Sequence, residues 1–496
     1  MNYISTRSND YSCKSAYAIK KGLAADGGLY IPTKFPLLTL DEISAMSADN
    51  YNMRAFNIMR RFLTDFSDAE IKESIDKAYN KQNFETESIA PVYKLNNQVY
   101  FLELWHGCSS AFKDVALQIL PHLLTLSIKK TGEDKTVVVL VATSGDTGKA
   151  ALEGFKNVDK TKVIVFFPAN GVSEIQRLQM VTQEGDNVSV GSIVGNFDDA
   201  QSAVKGIFSD ESIKKELSEK GFLLSSANSI NWGRLLPQIV YYFSAYCDLL
   251  LNEEIILGEN VNFVVPTGNF GNILAGYYAK VMGLPIKTLI CASNKNNVLA
   301  DFINTGMYDI NRRFYETSSP SMDILISSNL ERLLYDITGG DYTRVKDWMH
   351  DLKMRGRYEV PDITKQRIKE VLWGGFCNEA DTLMTIKDTF EAYGYIMDTH
   401  TAVAKNVYDQ YLFKTGDSTK SIILSTANPF KFGESVMTAL KGELEKDVGQ
   451  FQLLEDLSVI TETKVPTQLL ALKNKDIRFG QVLDKKDMKE FIYNSL

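Results

Sequence analysis

The chain has 496 residues, 44% of them hydrophobic and 11% aromatic, which is too long for one core and predicts about three well-packed domains. Its 54 basic and 62 acidic residues leave a net charge of −8, which excludes a nucleic-acid surface of the usual basic kind. Five dispersed cysteines with no C-x-x-C pair, four scattered histidines without zinc spacing, and no signal-peptide core or long apolar span predict a cytoplasmic chain with free thiols, no metal and no membrane contact.

Residues 1–93 read as an N-terminal domain, mainly helical after a turn-rich opening at 22–32 (GLAADGGLYIP). Val99 to Trp105 predicts a buried strand and Val115 to Leu126 an amphipathic helix. Further apolar runs at 137–142, 162–167, 261–265, 286–292 and 421–425 predict strands, nearly all followed by a polar or glycine loop and a helix. Such runs imply an α/β fold with mostly parallel strands covered on both faces, and ligands gathered at the strands' carboxyl ends. Gly185 to Asp199 reads as a connection within the first lobe, and strand character resumes at Gly221 to Leu224. Residues 308–395, charged and helix-rich, interrupt the alternation as an inserted subdomain does. The expected segments are therefore 1–93, a first lobe at 94–220, a second lobe at 221–462, and a lysine-rich surface tail at 463–496.

Lys113 stands between an aromatic and an acid (Phe112, Asp114) at the first strand-to-helix junction. Near a helix N-terminus the dipole disfavours an ammonium, and a lysine so placed suits covalent capture of an aldehyde cofactor. By itself it reads first as a surface lysine in a first helical turn.

Three more strand-loop-helix junctions follow. Thr143-Ser-Gly-Asp-Thr-Gly148 offers two glycines, hydroxyls and amides for an anionic group, or simply an N-capped helix. Pro266-Thr-Gly-Asn-Phe-Gly-Asn272 can turn backbone amides onto a phosphate at a helix start, or serve as a left-handed turn. It matches neither the P-loop nor the three-glycine dinucleotide pattern, which favours a small phosphorylated cofactor. In the third, Ser425 and Thr426 emerge at a strand end, where a hydroxyl can meet a heterocycle nitrogen or cap the element that Pro429 opens.

Taken in order with the lysine, these segments resemble threonine synthase, a pyridoxal-phosphate enzyme of fold type II. The resemblance covers most of the chain through GLAADGGLYIP, ELWHG…AFKD (103–114), ATSGDTG (142–148), SANSINWGR (226–234), PTGNFGN (266–272), PSMDI (320–324), DTHTAVA (398–404) and STANPFKF (425–432). It implies two cofactor-binding lobes, each with a mostly parallel sheet flanked by helices, plus the N-terminal domain. It implies Lys113 as the Schiff-base and catalytic lysine, with Phe112 beside the cofactor ring and Gly268, Asn269, Phe270, Gly271 and Asn272 around its phosphate. Thr426 takes the pyridine nitrogen. Ser144, Gly145, Asp146 and Thr147 lie near the ring face and the substrate. Asn231 and Arg234 fall in a substrate segment, Arg234 as a candidate for the substrate phosphate, since an arginine fork suits a phosphate dianion. No metal is implied, and the partner is the small molecule O-phospho-L-homoserine, with the chain a monomer or a homodimer.

The chain departs from the common family wording at His106-Gly107-Cys108-Ser109, where relatives read His-Gly-Pro-Thr. Losing the proline frees the turn's φ. Cys108 is either a redox-sensitive thiol or a passive small residue, and His106 either orients the substrate or packs in the turn. The implied reaction gives L-threonine and phosphate from O-phospho-L-homoserine and water, with Lys113 as the proton carrier at the α-carbon. The alternatives are another type II enzyme, such as a threonine dehydratase or a phospholyase, and a catalytically silent cofactor-binding protein.

Overall fold

Two sheets made almost wholly of parallel strands carry the fold. The structure is a computed structural model; it describes residues 1–496 apart from Asn170, Gly171, Asn196, Glu443 and 445–447, and the side chains of Phe197, Asp198, Lys205 and Ser209. The larger sheet runs in the order Leu372–Phe376, Ile286–Ser293, Val261–Pro266, Ser421–Ser425, Val99–Glu103, Val92–Lys94, with only the last pairing antiparallel. The smaller is parallel throughout, in the order Val482–Leu483, Val188–Ile193, Thr161–Pro168, Thr136–Ala142, Phe222–Ser225.

The continuous apolar runs have a direct cause. Successive side chains of a strand point to opposite faces, and here both faces are covered. In the larger sheet Phe263 and Val265 join the core under helices Trp232–Leu251 and Gly271–Val281, whereas Val264 joins the core under helix Thr399–Thr415. In the smaller sheet Val137, Val139 and Val141 face the first of these cores, and Val138 and Leu140 face a third. The expected α/β class with helix-flanked parallel sheets is borne out.

Several local expectations change. The first ninety residues hold a three-stranded antiparallel sheet (Tyr3–Ser5, Ser8–Cys13, Tyr30–Pro32) beside their helices. Val99–Glu103, assigned to the first lobe, pairs in the larger sheet; Phe222–Ser225, assigned to the second, pairs with Thr136–Val139 in the smaller. Val188–Ile193, read as a connection, is a central strand whose sequence mixes serine and glycine among apolar residues instead of running apolar. The 308–395 stretch is helix-rich as expected, yet it also supplies the edge strand Leu372–Phe376. The tail is no appendage: Val482–Leu483 extends the smaller sheet, and helix Met488–Ser495 buries Met488 and Ile492 in its outer core.

The helix expected at 115–126 is two, Lys113–Leu117 and Leu120–Lys130. Pro121 has no N–H to offer the Leu117 carbonyl, which interrupts a continuous helix there. Gly154 approaches that carbonyl so closely that a Cβ on it would lie 2.0 Å from the oxygen.

Candidate active site

Lys113 begins a short helix immediately after a loop held by backbone bonds. Ala111 bridges Ala427, the Phe112 amide donates to the Thr426 carbonyl at 2.8 Å, and the Asn428 amide donates to the Ser110 carbonyl at 3.0 Å. These bonds bring the lysine loop against the end of strand Ser421–Ser425, so the Lys113 junction and the Ser425–Thr426 junction meet.

The Lys113 amine is buried. Nζ lies 5.0 Å from the centroid of the Phe112 ring and donates to Ser321 Oγ at 3.0 Å and to Asp146 Oδ2 at 3.2 Å. Burial pulls its pKa below the ordinary lysine value; Asp146 opposes this, and the nearby charges of Lys431 and Arg234 add to it. The helix behind it has five residues, and burial is the leading cause of the shift.

Asp146 heads helix Asp146–Phe155. Its Oδ1 accepts from Lys431 Nζ at 2.8 Å and Gln176 Nε2 at 2.9 Å, and its Oδ2 also accepts from Ser321 Oγ at 3.0 Å. Burial by itself would raise this carboxyl, but the Lys113 and Lys431 ammoniums hold it well below the usual carboxylate range. The turn is shaped by Thr143, whose hydroxyl accepts from the amides of Gly145 and Gly148, both at 3.0 Å. Gly145 sits at φ 134°, open to glycine and strained for other residues. Ser144 and Thr147 flank it, both partly exposed.

At the second junction Phe270 is buried at φ 64° and stands as the N-cap of helix Gly271–Val281. A Cβ on Gly268 would come within 2.6 Å of the Ser321 carbonyl oxygen, so only a glycine lets the two loops approach. The Asn269 carbonyl accepts from the Asn329 amide at 3.1 Å. Asn272 Oδ1 accepts from the hydroxyls of Tyr241 at 2.5 Å and Tyr242 at 3.0 Å, while its buried Nδ2 has no partner among the described residues. A buried donor at a helix N-terminus beside two glycines fits an anionic group.

Arg234, near the start of helix Trp232–Leu251, is also buried. One Nη donates to the Ala227 carbonyl, Nε has no partner, and no carboxylate pairs with it among the described residues. Burial pulls its pKa down to about 10. A desolvated guanidinium without an acid is chemically suited to an anion. Asn231 departs from expectation: its oxygen caps the same helix by accepting from the Gly233 amide, and its NH2 donates to the Ile19 carbonyl, both at 2.9 Å. It shapes the segment and ties it to the N-terminal domain. His106 stacks on Trp105 at 4.0 Å between centroids and bonds Glu103 at 2.9 Å, a packed turn residue. Burial raises the Cys108 thiol to about 12, which removes the reactive thiolate.

Residues 2–79 match the model for the threonine synthase N terminus, and residues 401–492 that for the threonine synthase C-terminal region. Threonine synthase of Pseudomonas aeruginosa is 39% identical over 89% of this chain and 91% of its own. The chain belongs to the threonine synthase family. Threonine synthase-like 1 of Macaca fascicularis is 42% identical over 86% of this chain, and the match spans 58% of that protein, a little under three fifths. Among solved structures, PLP-bound threonine synthase from Brucella melitensis superposes with a TM-score of 0.88 at 36% identity, covering 100% of this chain and 99% of that one.

Within this threonine synthase family member the structure brings in residues that carried no role in the sequence reading. Lys431, Gln176 and Ser321 complete the shell around Asp146. His400 Nδ1 is 2.7 Å from Asp398 Oδ2, and its Nε2 accepts from the Ser321 amide at 3.2 Å, fixing the loop that bears Ser321. Three of these, Lys431, Ser321 and His400, lie in segments that carried the family resemblance, but nothing in their sequence spacing reveals that they converge. Among the described residues no group of three or more His, Cys, Asp or Glu is arranged to hold a metal ion, and no helix is long and apolar enough to cross a membrane.

Proposed function

We propose that the protein converts O-phospho-L-homoserine and water into L-threonine and phosphate, with pyridoxal 5′-phosphate as cofactor. The observation that supports this reading best is the pairing of a buried amine, Lys113, with two separate places fit for an anion: the buried Arg234 guanidinium, whose Nε has no partner and which pairs with no carboxylate among the described residues, and the Gly268–Asn272 helix start. An amino acid without a phosphate ester needs only one of them.

The residues present fit the cofactor. Lys113 is the amine that would bind it, Phe112 lies beside that amine, Gly268 to Asn272 would hold its phosphate, and Thr426 would face its ring nitrogen. When bound, the cofactor supplies an electron sink for charge left on the substrate carbons as protons leave. Lys113 takes the proton from the substrate's α-carbon and returns it, a role that burial supports by favouring the uncharged amine. Ser321 accepts from the amine and donates to Asp146, so the amine stays oriented whether or not it is protonated. Arg234 grips the substrate phosphate and steadies it as the γ-carbon–oxygen bond breaks. Ser144 and Thr147 hold the substrate from the facing loop.

The test is a spectrum of the purified, cofactor-loaded protein before and after phosphohomoserine, with phosphate and organic product measured together. Threonine and phosphate in equal amounts support the reading. Phosphate with ammonia and a ketoacid makes the protein a phospholyase, and a coloured protein that releases no phosphate makes it a binding protein only.

A further inference from the structure

Asp146 carries two lysines on opposite oxygens, and only one of them is accounted for by the chemistry above. The Lys431 side chain is 0% exposed against 4% for Asp146. Its Nζ donates to Asp146 Oδ1 and to the Ser109 carbonyl, each at 2.8 Å. Ser109 lies in the loop that delivers Lys113, and its amide is held by Asp114 Oδ2 at 2.8 Å. Lys431 therefore spans from the lysine loop to the carboxylate that orients the lysine.

We propose that Lys431 is a positioning residue for Lys113: across Asp146 it keeps the carboxylate ionised and turned toward the Lys113 amine whether that amine is charged, neutral or covalently engaged. The inference rests on the reading of Lys113 as the working amine. In that role Lys113 gives up its charge during each turnover. Without Lys431, Asp146 would then be buried with no ammonium in contact, take up a proton and lose its grip on both Ser321 and the amine. A second cation that never reacts prevents this. Lys431 also repels the Lys113 charge and so favours the free amine.

The charged and titratable groups of this cluster come from five elements. Lys113 faces Asp146, Lys431 and Arg234, Asp146 faces Lys113, Lys431 and His400, and Lys431 also faces Asp114 from the Lys113 helix. Of these, Lys431 is the cation that contacts both the carboxylate and the lysine loop.

The experiment follows the titration of Lys113 in the full-length chain freed of cofactor, from the rate at which trinitrobenzenesulfonate labels the peptide containing it across a pH series. Lys431→Gln keeps hydrogen-bonding capacity and removes the charge. The midpoint for Lys113 should move upward by about one unit or more, so labelling below the midpoint slows about tenfold. Lys431→Arg should restore the parent midpoint. The pH profile of phosphate release by the loaded variant should move the same way. Lys431→Met replaces the glutamine variant if that chain does not fold, with the same expected shift. An unchanged Lys113 midpoint in a folded, uncharged variant overturns the proposal, as does a downward one. Lack of phosphate release by the parent protein would instead refute the proposed reaction and leave the titration comparison readable.

Discussion

The Phe112 amide donates to the Thr426 carbonyl at 2.8 Å, placing the residue before Lys113 beside a strand end more than three hundred positions later. The bond is backbone to backbone, so the junction does not depend on the side chains of the loop. The Ser109 amide adds a bond to Asp114 Oδ2 at 2.8 Å. Together these hold the turn that carries Cys108 and Ser109.

Removing the amine is the first expectation. Borohydride treatment of the loaded protein should attach the cofactor irreversibly to one peptide containing Lys113, detected by mass spectrometry. In Lys113→Ala that adduct should vanish and phosphate release fall by about 10³-fold or more. A label on any other lysine would refute the assignment.

Arg234 separates substrate binding from stability. Arg234→Met should raise the KM for phosphohomoserine at least about tenfold while leaving the cofactor absorbance in place. The unfolding midpoint should hold or rise, because an apolar side chain replaces a buried guanidinium that has no acid partner. Loss of colour with an unchanged KM would move Arg234 to the cofactor's phosphate.

Gly154→Ala runs against helix propensity. In an open helix the change stabilises by about 1 kcal/mol. Here the new Cβ meets the Leu117 carbonyl oxygen at 2.0 Å, a backbone atom that no rotamer change can move aside. A net loss of about 2 kcal/mol is expected in urea titration, with reduced activity because the Lys113 helix must shift. Equal or greater stability would show that the two helices separate freely.

Asp114 gives a pH dependence of definite sign. Burial raises its carboxyl to about 6, and its Oδ1 has no partner among the described residues. A carboxyl raised on folding binds its proton more tightly in the native state, so its contribution falls as pH climbs from about 4 to about 6 and stays unfavourable above. Asp114→Asn keeps an acceptor for the Ser109 amide and removes that penalty. It should leave stability nearly unchanged at pH 4 and raise it by about 1 to 2 kcal/mol at pH 8. A loss of similar size at both pH values would show that the carboxylate itself is needed.

What the sequence determined by itself was whatever local pattern can encode. Runs such as Val137 to Ala142 and Val261 to Pro266 announce strands buried on both faces, and the glycine-bearing loops after them mark where ligands gather. Family likeness singled out Lys113. The strand Val188–Ile193 escaped notice because its serine and glycine positions mimic a loop. The two tail residues Val482 and Leu483 escaped because a two-residue strand acquires meaning only from its neighbour. Sheet membership, which sends Val99–Glu103 to one lobe and Phe222–Ser225 to the other, is set by long-range pairing that no window of sequence contains. The same holds for the site. Asp146, Gln176, Ser321 and Lys431 lie on four separate segments, and a buried carboxylate selects its partners by which loops the two sheets bring to their carboxyl ends. Charge without water must be answered by charge or hydrogen bonds close by, and only the tertiary structure decides which residues are close.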